Sequence, residues 1–205
     1  MKGKEVDYSN HGWIETTLEP EHVVFLWQQI EDRKICYKNN LAGNISESYK
    51  IKDVDNYFFK EVLFQHIEAY TQLYGSHPVR DYAHGDFKLQ LGNFWVNYQN
   101  KYEFNPYHHH GGVYSFVVWM KIPTDWRDQN NLSFLDGLKE DDKKASIFEF
   151  EYIDILGNIR NYGYRLDPTF EGKMLFFPSA LRHCVYPFYN CDESRISVSG
   201  NLIFN

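Results

Sequence analysis

Hydrophobic and polar positions follow a helical period in the first part of the chain. Between residues 20 and 33, apolar side chains recur at helical spacing after Pro20, a residue that suits the first turn of a helix. A second such pattern runs over residues 53–73 and stops before Gly75, which can end a helix. These patterns predict two amphipathic helices.

From residue 88 onward the pattern changes to short runs rich in β-branched and aromatic residues, separated by turn residues. Seven or eight short strands bury their apolar faces most readily in a sandwich or barrel. We therefore predict a mainly β fold with flanking helices in a single domain, 1–205, in which 1–87 is a mostly helical flank and 88–205 is the β core. The predicted strands are 88–98, 113–122, 146–153, 162–166, 173–177, 184–186 and 195–204.

Residues 124–144 interrupt the strand pattern with a charged, irregular stretch rich in Asp, Lys and Asn. Such a stretch is typical of a long surface loop, and long loops on a rigid scaffold often cover a site. The alternative is a solvated insertion without a role.

Composition and charge limit the classes of partner and compartment. The formal net charge of -7 argues against a nucleic-acid backbone as the main partner. No apolar run approaches the roughly 20 residues that span a bilayer, and no signal peptide is evident, so we expect a cytoplasmic protein. Cys36, Cys184 and Cys191 are expected to be free thiols, with a Cys184–Cys191 pair as the alternative.

Three adjacent histidines, His108, His109 and His110, precede the strongest predicted strand. In an extended backbone, residues two apart point to the same face, so His108 and His110 can reach one metal ion while His109 points away. A fourth histidine, His183, follows an apolar run and a proline turn. The alternatives are a solvated polar loop for the first group and a core histidine bonded to a backbone carbonyl for His183.

The last predicted strand alternates strictly between an apolar and a polar face. Its polar face carries Arg195, whose planar guanidinium matches a carboxylate, and Ser197 two residues further on. An exposed sheet face is the alternative explanation of this pattern. The apolar face consists of Ile196, Val198, Leu202 and Phe204, and the polar face of Arg195, Ser197, Ser199 and Asn201.

The order of these motifs resembles a known family. The phrases NPYHHHGGVYSFVVWMKIP, GKMLFFPSALRHCVYPF and ESRISVSGNLIF are similar to the 2-oxoglutarate and iron(II)-dependent oxygenase superfamily, close to a prolyl-hydroxylase-like branch of small bacterial and phage members. The resemblance covers about residues 93–204. It implies a double-stranded β-helix, which is a cupin-like jelly-roll barrel with the metal in its open mouth.

The resemblance also implies roles for individual residues. His108 and His183 match the family's metal histidines, and Arg195, twelve residues after His183, matches the arginine that binds the distal carboxylate of 2-oxoglutarate. Ser197 matches an assisting hydroxyl, and Tyr98 matches, more loosely, a tyrosine near the co-substrate. The family's usual motif is H-x-D. Here the third position is His110, which gives an all-histidine site unless another segment supplies a carboxylate.

The implied activity is that of an oxygenase that uses Fe(2+), 2-oxoglutarate and O2. It would hydroxylate a C–H bond of a small-molecule or peptide substrate and release succinate and CO2. Two alternatives stay open. One is a cupin-type metalloenzyme that does not use 2-oxoglutarate, because Gly172, Pro178 and His183 fall close to the second cupin motif. The other is a non-catalytic jelly-roll binding or virion-associated module.

Overall fold

Two antiparallel β-sheets, packed face to face, form the body of the chain in the computed structural model, which describes residues 11–33, 35–75 and 88–205. The strands are β1 (Ile14–Thr17), β2 (Ile35–Cys36), β3 (Glu47–Lys50), β4 (Leu89–Gln99), β5 (Asn105–His108), β6 (Tyr114–Lys121), β7 (Ile147–Ile153), β8 (Ile159–Arg165), β9 (Lys173–Pro178), β10 (Arg182–Val185) and β11 (Arg195–Phe204). The larger sheet has the order β1-β9-β6-β11-β4-β3-β2 and the smaller one β5-β10-β7-β8.

This arrangement is the predicted mainly β jelly roll with flanking helices. All seven predicted strands are present, as β4 and β6 to β11. The sequence patterns did not indicate β1, β2, β3 or β5, which have only two to four residues each. Three of these short strands lie in the part predicted to be mostly helical and extend the larger sheet. Residues 76–87 of that part lie outside the described residues.

In the described ranges three α-helices accompany the sheets: α1 (Pro20–Glu31), α2 (Phe64–Tyr74) and the short α3 (Trp126–Asn130). A π-helical segment, Phe59–Leu63, leads directly into α2. The start of this segment is fixed by Asp53, whose carboxylate accepts the backbone N–H groups of Phe58 and Phe59 at 2.7 and 2.9 Å. Within the described ranges, no helix is long and apolar enough to cross a membrane.

The core has two layers because the larger sheet is apolar on both faces. One face packs against the helices through Leu26, Ile30, Phe58, Leu63 and Tyr70, which meet Val96, Phe116, Val118, Phe176 and Val198 of the sheet. The other face packs against the smaller sheet through Val117, Trp119, Leu175 and Phe177, which meet Phe148, Phe150 and Tyr164. In β4 and β11 the polar residues alternate with the apolar residues that face the helices. These polar residues therefore face the space between the two sheets.

The three cysteines are free, as expected. Cys36 is exposed, Cys184 is buried and Cys191 is half-buried. The alternative of a Cys184–Cys191 disulfide is therefore wrong.

Candidate metal centre

Three histidines from two distant segments of the sequence meet at the smaller sheet. His108 ends β5 and lies directly opposite His183 of β10. His110 follows two residues after His108, and its backbone N–H donates to the carbonyl of Ser179 at 2.9 Å. One ring nitrogen from each of His108, His110 and His183 lies within 4.8 Å of the other two. His109 is exposed and takes no part in this cluster.

Backbone carbonyls fix the orientation of two of the rings. His108 Nδ1 lies 2.8 Å from the carbonyl oxygen of Pro106, and His183 Nδ1 lies 2.9 Å from that of Leu181. Because a carbonyl oxygen only accepts, Nδ1 must carry the hydrogen in each ring. The lone pair is then on Nε2, the atom left free to bind a metal ion. The alternative for His183, a core histidine bonded to a backbone carbonyl, therefore accounts for Nδ1 only and leaves Nε2 free.

Burial favours the neutral form of all three rings. Desolvation lowers the pKa of His108, and it lowers the pKa of His183 well below its ordinary value, with the neighbouring histidines adding to the effect. The pKa of His110 is lowered to about 4, first by desolvation and then by repulsion from His108. Neutral imidazole is the form that binds metal ions.

The cluster opens into a cavity of about 420 Å³ between the two sheets. Polar side chains of β4 and β11 form one wall as cross-strand pairs. These pairs are Arg195 with Gln99, Ser197 with Asn97, Ser199 with Trp95 and Asn201 with Asn93. The prediction that the polar face of β11 points into the barrel is therefore confirmed. The same alternation along β4, from Asn93 to Gln99, is present in the sequence and is the signal that predicts this wall.

Arg195 is the buried cation of this cavity. It is 2% exposed, and its guanidinium donates to Gln99 Oε1, at 3.4 Å, and to the hydroxyl of Ser146. Gln99 is oriented for this contact because its amide nitrogen donates to the carbonyls of Glu103 and Tyr186. Among the described residues, no carboxylate pairs with Arg195, and its Nε has no partner. Burial accordingly lowers the pKa of Arg195 to about 9.

Tyr98 is not brought to the cavity. Its neighbours Asn97 and Gln99 point into the cavity, so Tyr98 points to the opposite face of β4. There its ring packs edge-on against Tyr49 and lies under the guanidinium of Arg33, at 4.8 Å. The expected contribution of Tyr98 to co-substrate binding has no support in this geometry.

A different segment from the expected one approaches the cavity. No described residue between 124 and 144 lines it, because this stretch is tied to the loop before β11. Gln129, for example, is buried and accepts the backbone N–H of Tyr189 at 2.9 Å. The cover over the barrel mouth that we expected from 124–144 is therefore not seen in this structure, and it stays a prediction. Residues 37 and 41–43 and Ile45 line the cavity instead, and no sequence pattern had singled them out.

A second polar group lies on the far face of the smaller sheet, directly behind the histidines. Glu149 of β7 is 2% exposed and accepts the hydroxyl of Tyr107 at 2.6 Å. Lys144 and Asn161 also donate to this carboxylate. Since Tyr107 precedes His108, this group ties the strand that carries His108 to the two strands beyond β10.

The residues of the cavity fit the two groups that the sequence resemblance implies. Three neutral imidazoles with converging nitrogens form a donor set for a divalent first-row metal ion. Within the described ranges no carboxylate joins them, so the alternative of a carboxylate from another segment finds no candidate there. A buried guanidinium without an acidic partner fits a ligand that brings a carboxylate.

Comparisons with known proteins agree with this fit. Residues 93–201, just over half of the chain, match the model of a family of 2OG-Fe(II) oxygenases. No curated protein matches the chain. Among solved structures, a 2OG-Fe(II) oxygenase family oxidoreductase from Burkholderia pseudomallei is 9% identical, with a TM-score of 0.54 over 94% of this chain and 84% of that one.

Two further structures share the fold. A prolyl-4-hydroxylase from Pseudomonas putida is 14% identical, with a TM-score of 0.52 over 95% of this chain and 94% of that one. HygX from Streptomyces hygroscopicus, solved with nickel, 2-oxoglutarate and hygromycin B, is 12% identical, with a TM-score of 0.51 over 94% and 82% of the two chains. At these identities the likeness shows the fold alone. The family match shows that this chain belongs to the 2OG-Fe(II) oxygenases, enzymes that use iron(II) and 2-oxoglutarate.

Proposed function

We propose that His108, His110 and His183 hold the iron(II), and that Arg195, assisted by Ser197, binds the distal carboxylate of 2-oxoglutarate. The proposed reaction is hydroxylation of a C–H bond of a small-molecule or peptide substrate. One observation carries the proposal: a single cavity contains both the cluster of three histidine nitrogens and a buried arginine without an acidic partner.

When bound, iron(II) and 2-oxoglutarate supply the activation of oxygen, which yields succinate, CO2 and an oxidised substrate. The chain's own residues bind, orient and exclude water. His108 and His183 present Nε2 because their Nδ1 atoms donate to carbonyls. Arg195 would exchange its weak contact with Gln99 for a bidentate pair with a carboxylate.

The aromatic part of the cavity wall keeps water away from the histidines. Phe148 stacks on the ring of His183 with centroids 5.6 Å apart, and Phe177 meets it edge-on at 5.1 Å. Trp119 closes the wall beside Phe148. A dry wall strengthens the attraction between a bound cation and its ligands and limits side reactions with water.

The position of His110 is where this chain departs from the usual H-x-D motif. A neutral imidazole in that position leaves one more positive charge on the metal site than a carboxylate would. We propose the all-histidine set because the ring of His110 lies within reach of the other two and no described acidic side chain does.

Two other functions are less well supported. A cupin-type enzyme that does not use 2-oxoglutarate gives Arg195 no role, and a non-catalytic binding module leaves the three histidine nitrogens unexplained. Our proposal includes a cytoplasmic location, supported by three free cysteines, and no nucleic-acid partner, supported by the net charge of -7.

Succinate release tests the assignment of the co-substrate site. With iron(II), oxygen and 2-oxoglutarate, the wild-type protein should release succinate slowly even without its substrate. Arg195→Ala should reduce the yield to that of a control without enzyme, because loss of a charge-assisted bidentate pair costs about 2 to 5 kcal/mol of binding. His109→Ala, a change beside the cluster, should keep the wild-type yield. Equal yields from wild type and Arg195→Ala would contradict the proposal.

A further inference from the structure

One asparagine of the cavity wall has its amide oxygen already occupied. Asn97 of β4 lies directly opposite Ser48 of β3, and the hydroxyl of Ser48 donates to Asn97 Oδ1 at 2.6 Å. Ser48 is buried, and this oxygen is the acceptor of its hydroxyl in the described part of the chain. A rotated amide would leave that buried donor without a partner, which is costly. Ser48 therefore fixes the amide so that Nδ2 points away from it.

The amide nitrogen of Asn97 is unpaired and accessible. Asn97 lines the cavity, and its backbone is paired on both sides, with β3 and with β11. Nδ2 has no hydrogen-bond partner among the described residues, yet it does not belong to the unpaired side-chain atoms without accessible surface. The direction left open to this donor is the cavity. It offers a ligand an N–H group whose orientation is set before the ligand binds.

Asn97 lies between the histidine cluster and Arg195. The wall is made of successive cross-strand pairs, which are, in order, Arg195 with Gln99, Ser197 with Asn97, Ser199 with Trp95 and Asn201 with Asn93. The ring of Trp95 lies next to that of His110, with centroids 5.7 Å apart, so the third pair marks the level of the cluster. A ligand that reaches from the cluster to Arg195 must pass the second pair, which contains Asn97. Asn201, in the fourth pair, lies beyond the cluster.

A carboxylate bound at Arg195 can accept from further residues. An ionised carboxylate only accepts, and its two oxygens have about four lone-pair sites. A bidentate guanidinium uses two of them. Ser197, to which the proposed function gives the same carboxylate, uses a third. Asn97 is the cross-strand partner of Ser197, and side chains in such a pair start only about 4.5 to 5.5 Å apart, so its amide can reach the fourth.

We infer that Asn97, oriented by Ser48, binds the distal carboxylate of 2-oxoglutarate together with Arg195 and Ser197. This inference rests on the proposed function and adds a residue that selects a diacid over 2-oxo acids without a distal carboxylate. It gives Asn97 the role on β4 that the sequence resemblance implied for its neighbour Tyr98.

Two 2-oxo acids that differ only at the distal end test the inference. 2-Oxobutyrate has the 2-oxo acid end of 2-oxoglutarate but no distal carboxylate. Each is titrated into the anaerobic complex of protein and iron(II), and binding is followed by the charge-transfer absorption of the iron–2-oxo acid complex. Asn97→Asp keeps an acceptor for Ser48 but replaces the donor with a negative group. It should weaken 2-oxoglutarate binding at least about tenfold and 2-oxobutyrate binding by less than about threefold.

A neutral variant separates the lost donor from the added charge. The double variant Ser48→Ala, Asn97→Leu removes both partners of the internal hydrogen bond, so it leaves no buried group unpaired and should fold. It should still bind 2-oxoglutarate about tenfold more weakly than wild type and bind 2-oxobutyrate normally. Thermal unfolding without ligand checks that the variants are folded.

Asn201→Asp is the matched control. Asn201 lines the same cavity, and its amide oxygen is likewise held by a serine, because Ser115 donates to it at 2.8 Å. Four residues along β11 separate Asn201 from Ser197, which is about 13 Å at roughly 3.3 Å per residue. The same substitution at Asn201 should therefore change 2-oxoglutarate affinity by less than about threefold.

Three results would overturn the inference. Equal weakening of both acids by Asn97→Asp would place its effect away from the distal carboxylate. Unchanged 2-oxoglutarate affinity in the double variant would remove the contact, and an equal loss in Asn201→Asp would mean that any negative group in the cavity has this effect. In all three cases Arg195→Ala would still lose 2-oxoglutarate. If wild type and Arg195→Ala bind it equally, the proposed function fails and the inference falls with it.

Discussion

Tyr107 donates a hydrogen bond of 2.6 Å to Glu149 across β10, on the face of the smaller sheet opposite to the histidine cluster. Glu149 is a buried carboxylate, and Tyr107 is the residue before His108. The pair therefore connects the position of His108 to the strand on the other side of His183.

Tyr107→Phe tests this connection. The variant should lose about 1 to 3 kcal/mol of unfolding free energy, because Glu149 keeps its buried charge with one donor fewer. Its iron affinity should fall by about tenfold, as is typical when a group that positions a ligand is removed. Urea unfolding and anaerobic iron titration give the two quantities. Tyr162→Phe, on the exposed strand β8 of the same sheet, is the matched control and should change neither.

The three-histidine set predicts a specific pattern of metal loss. His108→Ala, His110→Ala and His183→Ala should each bind iron more than about tenfold less tightly than wild type, whereas His109→Ala should bind it normally. Iron is measured in the protein after anaerobic loading and gel filtration. His110→Asp should keep its iron, since it offers a ligand of similar reach.

Two outcomes of that experiment would change the assignment. If His109→Ala loses iron and His110→Ala keeps it, then His109 and not His110 is the metal ligand. If His110→Ala keeps its iron while His108→Ala and His183→Ala lose it, a group outside the described residues supplies the third ligand.

Replacement of the buried cation separates binding from stability. Arg195→Met should abolish stabilisation by 2-oxoglutarate and should itself raise the unfolding free energy of the ligand-free protein by about 1 to 3 kcal/mol, because a buried charge without an acid is replaced by an apolar chain. Thermal unfolding with and without 2-oxoglutarate measures both effects. Arg182→Met removes an exposed arginine that pairs with Glu151, and its effect should stay below about 1 kcal/mol. A strong destabilisation by Arg195→Met would indicate a structural role instead.

Amide hydrogen exchange should identify the segment that responds to ligands. Iron(II) and 2-oxoglutarate should slow exchange in residues 41–45, because 41–43 and Ile45 line the cavity. Exchange at Ser133–Leu135 and Glu140–Asp142 should stay the same, since these turns do not reach it. Protection of 133–142 without protection of 41–45 would reverse this assignment and restore the cover predicted from the sequence.

Much of the fold and of the site was predictable because strand alternation is a strong signal in long strands. The ten residues of β11 alternate without interruption, and this was enough to place Arg195 and Ser197 on the inner face. The same rule shows why the expectation for Tyr98 was not supported. Counting ten residues back from His108 took no account of the face, and Tyr98 has the opposite parity to Asn97 and Gln99.

The remaining features were hidden because they depend on contacts between distant segments. The carboxylate of Glu149 and the hydroxyl of Tyr107 are 42 residues apart, and no local pattern links them. β5 begins with Asn105-Pro106, which indicates a turn more readily than a strand, and only its pairing with β10 keeps it extended.

The buried guanidinium of Arg195 has a consequence for the amount of folded enzyme in a cell. If Arg195 binds 2-oxoglutarate as we propose, the bound diacid stabilises the folded protein by about 2.7 kcal/mol at a hundredfold excess over the dissociation constant. Domains of this size are stable by only about 5 to 15 kcal/mol, so this gain is a substantial part of the total. A fall in the supply of 2-oxoglutarate would then shorten the lifetime of the protein against proteolysis as well as slow its turnover.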